Sequence, residues 1–451
     1  MEQIGGEHQG ERTSITQVAL ASFIGTTVEW YDFFLYGTAA ALVFGPLFFP
    51  SDDPFIGVLL AFATFGVGFA ARPIGGIFFG HYGDKIGRKS MLVITLLMMG
   101  FATFCIGLLP TYESVGILAP ALLVLLRLIQ GFALGGEWGG AVLMAVEHSP
   151  PGRRGFYGSW PQTGALAGLL ISTGVLTLFT GLPEEQFLAW GWRIPFLLSI
   201  IIVGVGLFIR IKISESPAFE QVKETQAEAG LPIVEVLRNP RSVLLGMGAR
   251  FAENGVFYII SIFVLDYATR TLGMERGPVL RGVLIGAAIA FFTVLAYGAL
   301  SDKLGRRPVY LWGAGFSLVF AFPFFWLVDT RSPILIALAV TIGLAVGHAA
   351  MYGPQGAFMS ELFSTGVRYS GASIGYQLAS VLAGGLAPFI AVSLLEASGG
   401  EPWSVAVYMI GMCVVTLIAV LVATETNTSE IAEEGAQASG PKRGSGGPVT
   451  E

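Results

Sequence analysis

The sequence predicts an all-α membrane protein of twelve spans arranged as two six-helix bundles, and three observations predict it. Of 451 residues, 53% are hydrophobic and only 12% charged, about half the roughly 25% charged share usual in soluble proteins. Apolar stretches of about 20 residues, the length that crosses a bilayer as a helix, recur between clusters of Pro, Gly and charge. Two charged loop patterns also recur about half a chain apart. The 61 glycines and a mean hydropathy of +0.70 suit helices packed closely in lipid, whereas the alternating strands of an outer-membrane barrel would need far more polar residues. A net charge of −6 and a pI near 5.4 offer no basic face to nucleic acid. Cys105 and Cys413 lie far apart in apolar runs, which excludes a disulfide framework and a cysteine-based metal site.

Taken in order, the first half places spans at 18–44, 55–81, 90–110, 118–147, 157–181 and 192–212. The second half places them at 241–268, 277–300, 309–328, 332–361, 371–395 and 402–423. Residues 1–17 form a short leading segment without the pattern of a cleavable signal. The polar stretch 213–240 reads as a linker between bundles 18–212 and 241–423, and the Glu, Ser, Gly and Pro-rich tail 424–451 cannot bury a core and is expected to be disordered. With both termini cytoplasmic, 17 of the 25 basic residues fall on that side and five on the other, as the positive-inside rule requires of an even number of spans. Trp190, Trp192 and Trp403, beside expected helix ends, read as interfacial anchors.

The loop after span 2 reads GDKIGRK and that after span 8 SDKLGRR, with Asp84 and Asp302 218 residues apart. The loop after span 4 carries Glu147, Arg153 and Arg154, and that after span 10 Glu361 and Arg368, with the two glutamates 214 residues apart. Two independent patterns repeating at nearly one offset on the same side indicate duplicated halves in parallel orientation, a construction whose interface holds the substrate in many transporters. As a physical unit, Asp84, Arg88, Glu147, Arg153, Arg154, Asp302, Arg306, Glu361 and Arg368 make a candidate latch that closes the cytoplasmic side.

These loops, twelve spans and a central linker resemble the major facilitator superfamily over about residues 15–423. Within it EWYDFFLYG (29–37), RLIQGFALGGEWGGA (127–141) and WGWRIPFLLS (190–199) resemble the metabolite:proton symporter family of bacterial inner membranes, carriers of shikimate, 2-oxoglutarate and other carboxylates and of proline and betaine. The resemblance implies the major facilitator fold, alternating access and proton symport. It also implies that Arg127 of span 4 pairs with an acid of span 1, at the position of Asp32, and that Arg72 in ARPIGG reaches span 1 or the cytoplasmic charges. The long heptad-patterned C-terminal helix typical of the osmolyte carriers is not in the tail, which weakens the osmolyte reading.

Each ionisable side chain at membrane depth is a functional candidate, because burying it there costs several kcal/mol. Glu29 and Asp32 are three apart, hence on one face of span 1, with Tyr36 a turn further on. Arg127, Gln130 and Glu137 form a stripe on span 4, beside glycines 131, 135 and 139, whose spacing admits a second backbone. Asp32 is the first choice of proton carrier, with Glu29 and Glu137 competing, because an approaching arginine changes how tightly a buried carboxyl holds its proton. On span 7, Arg250 and Glu253 read equally as a carboxylate-binding arginine with its acid or as a local i, i+3 pair. On span 10, His348, Tyr352 and Gln355 share a face, and Gly353 and Pro354 are expected to interrupt the helix beside a cavity. Trp138, Trp160, Gln162, Tyr258, Tyr376 and Gln377 complete the candidate substrate lining.

Walker-type and GxGxxG loops are absent at strand-to-helix positions, and no catalytic triad stands out, so an enzyme or an ATP-driven pump is not expected. The expected function is import of a small organic acid, driven by the proton gradient with no cofactor. Its partners are substrate, protons and lipid, and one chain is expected to suffice as a monomer. A zwitterionic osmolyte such as proline or betaine is the alternative substrate, and a non-transporting sensor on the same fold the alternative class.

Overall fold

A computed structural model of the chain describes residues 15–86, 88–135, 138–212, 240–363 and 368–427. The described residues form helices joined by short turns. These are α1 (Ile15–Phe48), α2 (Pro54–Ile86), α3 (Arg88–Leu108), α4 (Leu118–Glu147), α5 (Arg154–Phe179) and α6 (Arg193–Lys212) in the first half. In the second half α7 spans Pro240–Thr271, α8 Arg276–Leu304, α9 Arg306–Asp329, α10 Pro333–Glu361, α11 Gly371–Ala397 and α12 Trp403–Val422. Among the described residues, eleven helical segments are long and apolar enough to cross a membrane, and α3 is apolar over Val93–Leu108.

The packing repeats. In the first half α1 lies on α5 and α6, α2 on α4, and α3 on α4 and α6. In the second, α7 lies on α11 and α12, α8 on α10, and α9 on α10 and α12. Adding six to each helix number of the first set reproduces the second, which is the parallel duplication in three dimensions. The halves meet where α5 packs against α8 and α10, and α2 against α11.

Glycine sets the closest contacts, because van der Waals packing and not the hydrophobic effect holds helices together in lipid. A Cβ at Gly131 would land on the Gly68 carbonyl, and one at Gly135 on that of Arg72, so α4 and α2 touch backbone to backbone. Gly305, with φ of +100°, turns α8 into α9 in a conformation that side-chain-bearing residues rarely adopt.

Two expectations are corrected. Span 10 is not interrupted at Gly353 and Pro354, since Ala349–Glu361 is α-helical through both. Its irregularity is a π-turn at Gly343–His348, upstream of the proline, whose missing N–H leaves one i→i−4 bond unmade. Further π-turns interrupt α1 at Ala40–Phe44 and α7 at Ile259–Phe263, equivalent helices of the two halves; such turns are frequent at functional sites. Trp192 is no interfacial anchor either. It is fully buried, edge-on to Phe44, Phe48 and Phe196, whereas Trp190 and Trp403 are exposed.

Candidate functional site

The two ends of the bundle differ. At the end where α1 begins and α12 finishes, here the termini end, the halves are joined by polar contacts. The Asp302 carboxylate accepts from the backbone N–H groups of Gly155 (2.7 Å) and Phe156 (2.9 Å), so an acid of the second half caps the first turn of α5 in the first, where the helix dipole favours negative charge. Arg306 donates to Asp302 at 2.7 Å and to both Glu361 oxygens. Glu425, after α12, accepts from the N–H groups of Arg306 and Arg307, and Thr426 donates to Glu361. At the other end a vestibule of about 1140 Å³ opens between α1, α2 and α5 on one side and α7 and α8 on the other. Its rim carries the Arg276–Glu184 ion pair at 2.7 Å and the Arg270–Asp266 pair, neither singled out by the sequence.

Replacing Asp302 with Ala removes the carboxylate that accepts from the two α5 backbone N–H groups, each such charge-assisted bond being worth roughly 1.5–3 kcal/mol. The expected result is a termini end that opens at least ~10-fold more often. A Ser159→Cys probe, buried on α5, in a background with Cys105 and Cys413 replaced by Ser, should react with a thiol reagent correspondingly faster. An unchanged rate would remove Asp302 from the closure.

Between the ends, α1, α2 and α4 converge on an aromatic layer. Phe33 packs on Phe65 (5.1 Å) and Phe69 (4.9 Å), and Tyr258 of α7 meets Phe65 and Phe69, each at 5.5 Å, closing the centre across the halves. Asp32 is 1% exposed, and neither carboxyl oxygen has a hydrogen-bond partner. Thr103 lies beside it, but that hydroxyl donates to the Met99 carbonyl (2.9 Å) and accepts from Gln130 (2.7 Å), so it has no proton left to offer.

The Asp32–Arg127 ion pair implied by the resemblance is not made. Arg127 instead donates to Gln130 at 3.1 Å and lays its guanidinium over Phe33 and Tyr36, each at 4.3 Å. Gln130 and Thr103 thus bridge from Arg127 to the surroundings of Asp32. Tyr36 is hydrogen-bonded to Thr64 at 2.6 Å. Arg72 does reach α1, stacking on Phe33 (4.2 Å), Phe69 (4.1 Å) and Trp30 (5.5 Å). Glu29 is buried nearer the termini end, lining a small crevice with Arg72, Trp138, Tyr376 and Gln377.

In the second half the candidates of α7 and α10 form one network. Arg250 donates to Glu253 (2.7 Å), Gln355 (2.8 Å) and Ser380 (3.1 Å). Gln355 donates to Glu253 (2.8 Å) and Tyr310 (3.2 Å). His348 approaches the Glu253 carbonyl through Nδ1 at 3.2 Å and stacks between Phe257 and Tyr352, with Nε2 unpartnered. Gln162 of α5 crosses the interface to Gln355 at 3.1 Å and also accepts from Trp138. Trp138 lies flat on Tyr376 at 3.6 Å, and Arg250 covers Tyr376 at 3.4 Å. Gln377 donates across to the Gly135 carbonyl. Trp138, Tyr376 and Arg250 therefore form a three-layer stack from α4, α11 and α7.

Not all candidates converge. Trp160 packs edge-on to Phe23 and Phe156, away from this network. Arg153 is exposed at the termini end, where Glu147 and Arg154 also lie. Glu137 and the side chains of Asp84, Arg88 and Arg368 fall outside the described residues. The sequence reading missed Thr103, the hydroxyl facing Asp32 from a mostly apolar helix, and Ser380, one turn beyond Tyr376. It also missed Phe33, flanked by two arginines, and Glu425, which reads as tail until the turn at Gly305 receives it.

Among the described residues, eleven membrane-length helices and the apolar α3, halves repeated in parallel and a closed polar centre beneath a one-sided vestibule define a secondary transporter of the helical membrane class. The sequence model of the Major Facilitator Superfamily matches residues 18–388, and the chain belongs to that family. It is 45% identical to the shikimate transporter of Escherichia coli (strain K12), over 90% of this chain and 93% of that one. It is 38% identical to the proline/betaine transporter of Escherichia coli (strain K12), over 90% and 83%. Among solved structures it is similar to the proton:xylose symporter XylE bound to 6-bromo-6-deoxy-D-glucose, with a TM-score of 0.73, 19% identity and coverage of 94% and 98%; that likeness concerns the fold. The chain is accordingly a transporter and not an enzyme.

Proposed function

We propose that the protein imports a small organic acid together with a proton, by alternating access across the inner membrane of a bacterium. Both termini lie in the cytoplasm, and the halves 18–212 and 241–423 rock about the central layer as a monomer. The observation that carries this reading is Asp32, a fully buried carboxyl whose oxygens have no hydrogen-bond partner and whose neighbours are Thr103 and Glu29. At membrane depth an unpaired carboxylate costs several kcal/mol, so this closed geometry accommodates a proton-bearing Asp32. Loss of that proton creates a charge that holds the carrier back until a proton or a cationic partner returns. Glu29 and Glu137 are the competing candidates for the proton. Asp84, Arg88, Glu147, Arg153, Arg154 and Arg368 join Asp302, Arg306 and Glu361 in the cytoplasmic latch.

The kinship with a shikimate carrier supports an organic acid. So does the aromatic layer. A quaternary ammonium ligand is recognised on open aromatic faces, but the faces of Phe33, Phe69 and Tyr36 are covered by Arg72 and Arg127. The test is uptake of labelled shikimate, 2-oxoglutarate, benzoate, proline and betaine into proteoliposomes, with and without an acid-outside pH gradient. Gradient-driven accumulation of an acid is expected. Uptake indifferent to the gradient, or accumulation of proline or betaine alone, would overturn the reading.

A further inference from the structure

Arg72 and Arg127 share one feature that stacking does not account for. Both are fully buried, at 1% and 0% exposure, and in both the same two nitrogens, Nε and Nη2, have no hydrogen-bond partner, the Tyr258 hydroxyl being the polar group that lies against the Arg72 guanidinium. Those two nitrogens form the side-on fork of a guanidinium, the edge whose parallel N–H groups match the two oxygens of a carboxylate. The faces of the groups are occupied: Phe33 lies against both, Phe69 against Arg72, and Tyr36 and Phe65 against Arg127. Only the in-plane edges are left to a ligand. The one described side-chain bond of Arg127, to Gln130, uses Nη1 and spares the fork.

The electrostatics point the same way. Two guanidinium cations share one ring in a low-dielectric layer and repel each other, while cation–π contact is worth only ~0.5–2 kcal/mol each. Each unpartnered buried donor costs roughly 1–3 kcal/mol. Arg250, the third arginine of the layer, shows the contrast. Its charge is met by Glu253, and its donors are spent on Glu253, Gln355 and Ser380. Replacing an arginine purely for structure would favour a paired arrangement like that one. Arg72 and Arg127 are built for an anion that arrives.

We infer that Arg72 and Arg127, on either side of the interhelical Phe33 ring, form the carboxylate-binding site for the transported molecule. This rests on the reading of the chain as an organic-acid carrier, and it separates Arg127 from the direct Asp32 pairing that the resemblance implied. Access from the vestibule lies past Tyr36 and the π-turn at Ala40–Phe44, whose Ala41 and Leu42, with Gly45 just after it, line the vestibule wall. Movement of Phe33 and Tyr258 would uncover the forks, so binding and release are coupled to the aromatic layer that closes the centre.

The experiment is equilibrium binding of labelled shikimate, 2-oxoglutarate and proline to the purified full chain, with Arg72→Gln, Arg127→Gln and the two Lys variants beside wild type. Each Gln variant is expected to lose roughly 100-fold in affinity, and each Lys variant, which keeps the charge without the fork, about 10-fold. Retention within about threefold in either Gln variant overturns the site while leaving organic-acid transport intact. Should the variants not fold, the wild type decides: the carboxamide of the bound acid is expected not to displace it, and equal displacement overturns the site. Binding of proline and neither acid overturns the organic-acid reading, and the site is then judged by the same substitutions on proline, which also carries a carboxylate. A wild type that binds none of the three overturns both.

Discussion

Asp32→Asn should abolish accumulation of substrate against its gradient while leaving exchange of internal for external substrate intact. The amide is nearly isosteric with the carboxyl and stays neutral at every pH, so it fixes the site in the state that the closed structure accommodates. Its oxygen inherits partnerless surroundings, and its amide group has the Thr103 oxygen beside it as an acceptor. The effect on stability should therefore be small, about 1 kcal/mol or less. The effect on coupling is expected to be complete, because a carrier that cannot release its proton to the cytoplasm cannot draw on the gradient. The measurement is a paired assay in proteoliposomes, gradient-driven uptake against counterflow, for Asp32→Asn, Glu29→Gln and Glu137→Gln. Accumulation that persists in Asp32→Asn but disappears in Glu29→Gln or Glu137→Gln would move the proton to that residue. Loss of counterflow together with uptake would show that Asp32 serves binding and not coupling.

The fold was legible because its signals are long-range in the chain yet simple in kind. Runs of about 20 apolar residues, the glycines at 131 and 135 that bring α4 onto α2, and two loop patterns at nearly one offset are each readable without coordinates. The site was legible as an inventory and not as an arrangement. Periodicity put Arg250 beside Glu253 and His348, Tyr352 and Gln355 on one face, but it could not show that Gln355 bridges two helices, since that depends on where α7 and α10 cross. Arg127 shows the limit most clearly. Its partners Phe33 and Tyr36 belong to another helix and are aromatic, and no spacing rule links a cation to a ring nearly a hundred residues away. Helix irregularity was misplaced for a related reason. Pro354 sits within an α-helix that runs through it, and the irregularity lies a turn and more upstream, at Gly343–His348, where no proline marks it.

Removing either member of the Arg250–Glu253 pair should be the most destabilising single change in the second half. Each partner is at most 3% exposed, and a charge stranded at such a position costs roughly 3–5 kcal/mol. Arg250→Met and Glu253→Leu should therefore each lower the thermal unfolding temperature sharply and abolish transport. The double variant separates two roles that the single variants confound. With both charges gone the burial penalty goes too, and replacing a buried ion pair by apolar groups is often neutral, so stability should return to within about 1–2 kcal/mol of wild type. Transport is expected not to return. Arg250 also covers Tyr376, which is stacked on Trp138 of the other half, and Gln355 takes both Arg250 and Glu253 as partners while receiving Gln162 across the interface. The pair thus anchors the contact surface on which the halves part and rejoin, a duty that methionine and leucine fill in volume but not in hydrogen bonding. Recovery of transport along with stability would reduce the pair to a local i, i+3 contact and leave the inter-half stack of Trp138 on Tyr376 to act without it.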